Sequence, residues 1–287
     1  MHKHTETFRI RHDECDAYGV LNNAVYLRLA QESAWQHSVG AGFGPDYYAN
    51  TRRAWLARDT TIEYQAPVRY GETVKVTTYV PSARRTIARR AYEFQSDRPV
   101  ARAHTDWVFF DLEREAPATI PDEIVEALFS EDSQPDRLER SPFPELPPTP
   151  AGAVTWRGRV QWRDIDPYGH LNNAAYLSYM EAAATEAGIA YGITQDSSGE
   201  AEVGWALKRS RIEYHEPARV EDNLEIVTWL SSLRKASAER QYQIYRASDG
   251  HLLARGFSLW LTIDAVTGRP RRLPSWMSEA LAPNVAV

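Results

Sequence analysis

The sequence predicts an α+β protein built from two copies of one unit, each a single long helix with an antiparallel sheet. Three observations carry this. First, the 287 residues repeat themselves: Asp-Ala-Tyr-Gly-Val-Leu-Asn-Asn from Asp16 returns as Asp-Pro-Tyr-Gly-His-Leu-Asn-Asn from Asp166, an offset of 150. The same offset relates Trp55 to Trp205, Ile62-Glu63-Tyr64 to Ile212-Glu213-Tyr214, Pro67 to Pro217, Arg90 to Arg240 and Tyr92 to Tyr242. It becomes 153 at Trp107 and Trp260, and at Asp111 and Asp264, through a small insertion. Second, one stretch of each copy carries apolar residues at helical spacing. Third, the rest of each copy reads as β-branched and aromatic strands. A period this long describes a domain rather than a solenoid repeat. The expected domains are 1–125 and 154–287, joined by a linker at 126–153, and two such units can pair as an intrachain pseudo-dimer.

The elements follow in the same order in both copies. A short strand (Thr7 to Arg11; Thr155 to Trp162) enters the Asp-x-Tyr-Gly loop. Asn22-Asn23 and Asn172-Asn173 then cap a helix, because an asparagine side chain accepts from the unpaired amides of the first turn. Within the helix Tyr26, Leu27, Ala30 and Ala34, or Tyr176, Leu177, Met180 and Ala184, fall on one face. Glycines near 40–42 and 188–192 end it. About four strands follow, including Thr73 to Val80 and Leu224 to Leu230, then Arg90 to Phe94 and Arg240 to Tyr245 with period two. Asp249-Gly250 is a hairpin turn into the last strand, and Asp97-Arg98-Pro99 holds its place in the first copy.

Composition narrows the class. At 43% hydrophobic and 25% charged the chain reads as ordinary globular protein. No apolar stretch is long enough to span a bilayer, and Met1 to Glu6 lead into a strand without a secretory apolar core, so no membrane partner is expected. The lone cysteine, Cys15, excludes an intrachain disulfide and a thiolate metal cluster and suggests a reducing cytoplasm. A formal charge of −6 argues against a nucleic-acid partner. Acids crowd the stretch between the copies (Asp122, Glu123, Glu126, Glu131, Asp132, Asp136, Glu139), and five prolines follow from Pro142 to Pro150. This reads as a stiff, solvated spacer without chemistry.

The loop is where chemistry is expected. Asp166 stands just before a helix, where a carboxylate can orient water or attack a carbonyl. The helix start offers unpaired amides and the positive dipole end to a developing oxyanion. Gly169 lets backbone approach a ligand. Asp166 can equally be a cap or turn residue, His170 can serve only to bond loop backbone, and Asn172 can be structural or can position water. No spacing suggests a metal site, and no cofactor is required.

A strand, an Asp-x-Asp-x-x-Gly-His-x-Asn-Asn loop and a helix opening on an aromatic residue resemble the hotdog-fold thioesterases, in particular the 4-hydroxybenzoyl-CoA thioesterase-like group. The match is Asp164-Ile165-Asp166-Pro167-Tyr168-Gly169-His170-Leu171-Asn172-Asn173-Ala174-Ala175-Tyr176, with Ile212 to Pro217 resembling the family's second strand. The tandem arrangement with Asp166 and His170 is also similar to acyl-ACP thioesterases, with Tyr168 where that family has asparagine. That family's downstream acidic residue and cysteine have no counterpart near Pro217-Ala218, which favours CoA over carrier protein.

The resemblance implies two tandem hotdog domains hydrolysing an acyl-CoA or acyl carrier protein thioester. Asp166, His170 and Asn172 would be catalytic, with Asp16 a second candidate. Tyr168, Gly169, Leu171 and Asn173 would meet substrate, as would Tyr18, Gly19 and Asn22 of the first loop. Trp55 and Trp205 read as core or as the wall of an acyl tunnel. Arg58, Lys208 and Arg209 are candidates for phosphates. Val20 replaces His170 in the first copy, so the second site is expected to be the main one. Two alternatives stay open. A hotdog dehydratase or hydratase would hold its aspartate and histidine farther apart than Asp166 and His170, and a non-catalytic acyl-CoA sensor would act through a partner. Exposed sheet surfaces also allow homo-oligomers of pseudo-dimers.

Overall fold

The computed structural model describes residues 2–134, 142–194, 198 and 202–286, with backbone alone for 130–134. The chain divides into two compact units, Met1–Pro142 and Phe143–Val287.

In the first unit β1 (His4–Arg9) leads through a 3-10 turn (His12–Glu14) to the long helix α1 (Asn23–Gly40) and the short helix α2 (Pro45–Thr51). Then come β2 (Arg53–Tyr64), β3 (Thr73–Arg84), β4 (Ile87–Gln95) and β5 (Pro99–Asp111), with β6 (Ala116–Pro117), α3 (Asp122–Leu128) and β7 (Phe129–Gln134). The sheet is antiparallel in the order β1-β3-β4-β5-β2, and β7 pairs in parallel with β3. The expected meander is there, and α1 closes it. Its buried stripe includes Tyr26, Leu27, Leu29, Ala30 and Ser33. The Tyr26 ring meets Tyr64 and Phe94 edge-on at 5.3 and 5.6 Å, which fixes the helix over the sheet.

The second unit repeats this plan with β8 (Val154–Arg159), a 3-10 turn (Trp162–Asp164), α4 (Ala175–Ala190), β9 (Val203–Tyr214), β10 (Asn223–Leu233), β11 (Ser237–Arg246) and β12 (Leu252–Asp264). It ends in α5 (Ser275–Leu281) and a 3-10 turn (Ala282–Asn284). Its strand order is β8-β10-β11-β12-β9. A Cβ at Gly256 would meet Met180 Cε of α4 at 2.5 Å, so glycine lets helix and sheet pack this closely. The Asp249-Gly250 turn joins β11 to β12, with Gly250 at φ +71°. No helix among the described residues is long and apolar enough to cross a membrane.

The spacer is shorter than its composition suggests. A boundary at 125 cuts through α3, whose Ile124 and Leu128, with Phe129 after it, are buried in the first unit's core. The reason lies in the repeat itself. At the offset of 153, Pro121, Ile124 and Leu128 match Pro274, Met277 and Leu281 of α5, so α3 is that unit's own closing helix and its acids form the outer face. At the other end, Phe143 is buried between Arg211 and Arg255, at 5.1 and 4.4 Å, and pins the proline segment to the second unit. Asp136 and Glu139 lie outside the described residues.

Each unit also buries an arginine that pairs with no carboxylate among the described residues. Arg90 donates to His37 Nδ1 at 2.8 Å. In the second unit Ala187 stands at the position of His37, and Arg240 instead donates to Thr228 Oγ1 and Asn284 Oδ1, both at 3.3 Å. Asn284 comes from the C-terminal 3-10 turn and is itself fully buried, so the tail completes the core.

Candidate active site

The two Asp-x-Tyr-Gly loops are built by the same bonds. In the second, the Asp166 amide donates to the His170 carbonyl at 2.8 Å and the Gly169 amide to the Asp166 carbonyl at 2.9 Å. Gly169 takes φ +76°, a left-handed turn position that glycine adopts without strain. Asp166 Oδ1 accepts the amides of Tyr168 at 2.9 Å and His170 at 3.2 Å. Its Oδ2 has no partner among the described residues. In the first loop Asp16 Oδ1 accepts from Tyr18 and Val20 at 2.9 and 3.3 Å, and Gly19 takes φ +70°. Because the bond comes from the backbone, replacing histidine by valine leaves the carboxylate held as before.

What the loops do not share is electrostatics supplied by the side chain at that position. Burial raises Asp166 above the ordinary carboxylate range, against the lowering by the His170 and Tyr168 amides and the His170 ring. Burial lowers His170, with Arg219 adding to the effect and Asp166 opposing it, so the ring is neutral at pH 7. The result is a desolvated carboxylate beside a neutral imidazole, a combination suited to proton transfer.

Strands on either side hold the loop. Ile165 and Leu171 form one antiparallel bridge, His170 and Arg219 another, and the Leu171 amide donates to the Ala218 carbonyl at 2.8 Å. Asn172 Oδ1 accepts the Ala174 amide at 2.9 Å, and Asn22 Oδ1 does the same for Ala24. Tyr214 at the end of β9 donates its hydroxyl to the Asn173 carbonyl at 2.9 Å, as Tyr64 does to Asn23. Leu171 is buried, whereas Tyr168 and Tyr18 are exposed beside their loops. The aspartate, glycine and asparagines of each copy, with His170 in the second and Val20 in the first, are thus one structure.

The tryptophans belong elsewhere in their own units. Trp205 stands nine residues before Tyr214 on β9, about 30 Å from that unit's loop at ~3.3 Å per residue. It packs on the cluster that includes Leu230 and Leu281, while Trp55 packs on Phe109 and donates to Tyr48 Oη at 3.0 Å. Arg58 lies exposed on β2 and Lys208 is half-buried on β9, where Arg209 lies over the Phe257 ring at 5.4 Å. Two further residues brace the loop, of which the motif includes Tyr176 and leaves out Arg219. Arg219 reaches His170 across the bridge, and Tyr176 accepts the Ala218 amide at 3.2 Å through its hydroxyl. The repeat carried the signal, since Arg69 and Tyr26 match them at 150.

The fold and loop define a tandem hotdog protein of the thioester-hydrolase class. A sequence profile of the thioesterase-like superfamily matches residues 10–128 and 160–281, and the chain belongs to that superfamily. An acyl-CoA thioester hydrolase of Escherichia coli, YbgC, is 31% identical over 119 residues, covering 42% of this chain and 88% of that protein. The chloroplastic acyl-[acyl-carrier-protein] hydrolase FATB2 of Cuphea viscosissima is 21% identical over 267 residues, covering 89% of this chain and 62% of that protein. Among solved structures, a protein assigned as an oleoyl thioesterase from Lactobacillus plantarum superposes with TM-score 0.78 at 18% identity, over 91% of this chain and 96% of that one. The 12:0-ACP thioesterase of Umbellularia californica gives TM-score 0.69 at 18% identity, over 91% and 94%. At these identities the structural likeness is one of fold.

Proposed function

We propose that the protein hydrolyses acyl thioesters, releasing a carboxylic acid from CoA or an acyl carrier protein, with Asp166 as base or nucleophile. The observation that carries this is the Asp166 carboxylate itself. One oxygen is pinned by two backbone amides, the other has no partner among the described residues, and burial raises its basicity. As a base it takes a proton from water attacking the thioester carbon. As a nucleophile it forms an acyl anhydride that water then cleaves. In both routes the thiol leaves and the carbonyl oxygen passes through an oxyanion.

Donors for that oxyanion are supported at the start of α4. The Asn173 amide has no acceptor among the described residues and lies in the turn entering the helix, where the dipole favours negative charge. Neutral His170 supports proton transfer at the loop, and Asn172 holds the turn through its cap. The first loop keeps Asp16 but lacks the imidazole, so the second carries most of the turnover. CoA is favoured as carrier because the 31% identical relative is named an acyl-CoA thioester hydrolase. The test is thiol release from short, medium, long and aryl acyl-CoAs and from acyl carrier protein, with Asp166→Asn as control. Release that vanishes in the variant supports the reading. Release unchanged in the variant removes Asp166 from the mechanism, and tight binding without release from any carrier makes the protein a sensor.

A further inference from the structure

In the second unit the sheet face turned away from α4 is closed to water. A Cβ at Gly256 would point at Met180 of α4, so Phe257, the next residue on β12, points to the opposite face. The strand registers set Trp229 opposite Gln241, Gln241 opposite Phe257 and Phe257 opposite Arg211, one row across that outer face. An antiparallel sheet with a helix on one side commonly leaves its other side to solvent. Here Trp229, Gln241 and Phe257 are 0, 1 and 4% exposed, so the chain itself covers them. At one end of the row the cover is the start of the proline segment. Phe143 is buried over Arg211 at 5.1 Å and over Arg255 at 4.4 Å, and both arginines belong to the outer face.

The repeat supplies a comparison. The same registers in the first unit set Tyr79, Ala91, His104 and Thr61 in the matching row, and each of these is only half-buried. The closed row thus belongs to the unit that carries Phe143. Its cover leaves polar atoms unserved: Trp229 Nε1 and Gln241 Oε1 are buried without a hydrogen-bond partner among the described residues. A buried donor and acceptor left unpaired are costly, and a surface that served both would be preferred. Two copies related by a two-fold axis make each contact twice in exchanged order. Trp229 Nε1 of one copy can then donate to Gln241 Oε1 of the other, and the reverse. We propose that the Phe143 segment is a strap occupying this face, and that lifting Phe143 opens the row to a second copy of the chain. The anchor suits release, because each guanidinium–ring attraction is weak singly and Arg255 keeps Glu213 at 2.6 Å when the ring leaves. Strap and row include no residue of the Asp166 loop, so this pairing is independent of the reaction proposed above.

The test is the mass of the whole protein in solution, by sedimentation equilibrium, for wild type, Phe143→Ser and Phe143→Leu. The leucine variant removes the ring but keeps apolar bulk. Each is also made in a W229Y/F257H background, which carries the first unit's residues in the row. Opening the strap is expected to double the mass relative to wild type at equal concentration, and the row substitutions to return it to the wild-type value. Circular dichroism and a cooperative urea transition check folding, and Phe143→Leu gives the reading where the serine variant does not fold. An unchanged mass in a folded Phe143 variant, a doubling that persists with W229Y/F257H, or growth without a defined end point would each overturn the strap. So would a wild type whose mass halves on W229Y/F257H, since the row would then be paired with Phe143 still in place.

Discussion

Asp166 and His170 are tied to each other twice through backbone, once from the Asp166 amide to the His170 carbonyl at 2.8 Å and once from the His170 amide to Asp166 Oδ1 at 3.2 Å. The chain itself holds the carboxylate in place; burial raises its pKa, and the amides that hold it work against that rise. Asp166→Asn keeps an acceptor for both amides and removes a desolvated charge. Thiol release should fall about 10²–10⁴-fold, while the urea midpoint at pH 7 is unchanged or higher. A variant that loses stability together with activity would show a structural role instead.

The pH profile follows from the same shift. In the proposed mechanism the working form of Asp166 is the carboxylate, whose pKa burial raises. Turnover therefore falls as pH drops, along an acid limb lying above the ordinary aspartate pKa of about 3.9. A limb at or below that value in kcat/KM would mean that another group controls the rate.

His170→Val places in the second loop the residue the first one carries, and it preserves both backbone bonds. If the imidazole takes part in proton transfer, kcat falls at least tenfold with the melting temperature kept. In parallel, Asp16→Asn should remove only a minor share of turnover. Abolished turnover in Asp16→Asn would reverse the assignment of the two sites.

The observed bond from the Ala174 amide to Asn172 and the proposed positioning of water or substrate by its amide are separable. Asn172→Asp retains the cap on Ala174 but loses the amide donor, whereas Asn172→Ala loses both. The alanine variant should cost about 1 kcal/mol of stability, measured by urea unfolding. Activity that drops equally in both variants points to the amide positioning water or substrate; activity kept in Asn172→Asp leaves only the cap.

The buried Arg90–His37 bond makes the first unit sensitive to acid. Arg90 always donates, so His37 Nδ1 must be unprotonated, and burial, then Arg90, His4 and His2, push its pKa from 6.5 down to about 4. A histidine held neutral contributes its full stability above the unfolded pKa, and loses it as pH falls from 6.5 toward 4. The loss should reach about 2 kcal/mol by pH 5. Urea titrations at pH 7.5 and pH 5 check this against His37→Gln, which keeps an acceptor that does not titrate and should show a smaller pH dependence.

The duplication, the single long helix of each unit, the Asn22 cap of α1 and the Asp-x-Tyr-Gly loops were legible in the sequence because each rests on local chemistry. In the second unit Asn172 bonds the turn before α4, whose N-cap is Ala174. Helical spacing, Asx capping and a left-handed glycine depend on residues within about five positions of one another. The ends of the spacer were misread for a related reason. Composition sees the acids of α3 but not that Ile124 and Leu128 face inward, although the 153 register could have extended the repeat to Leu128. Tertiary structure alone decided the rest: Trp205 stands a strand's length from its own loop, Arg219 reaches His170, and Asn284 replaces a helical histidine beside a buried arginine. These depend on which distant segments become neighbours, and on the loss of water between them, which shifts Asp166 and His170 in opposite directions.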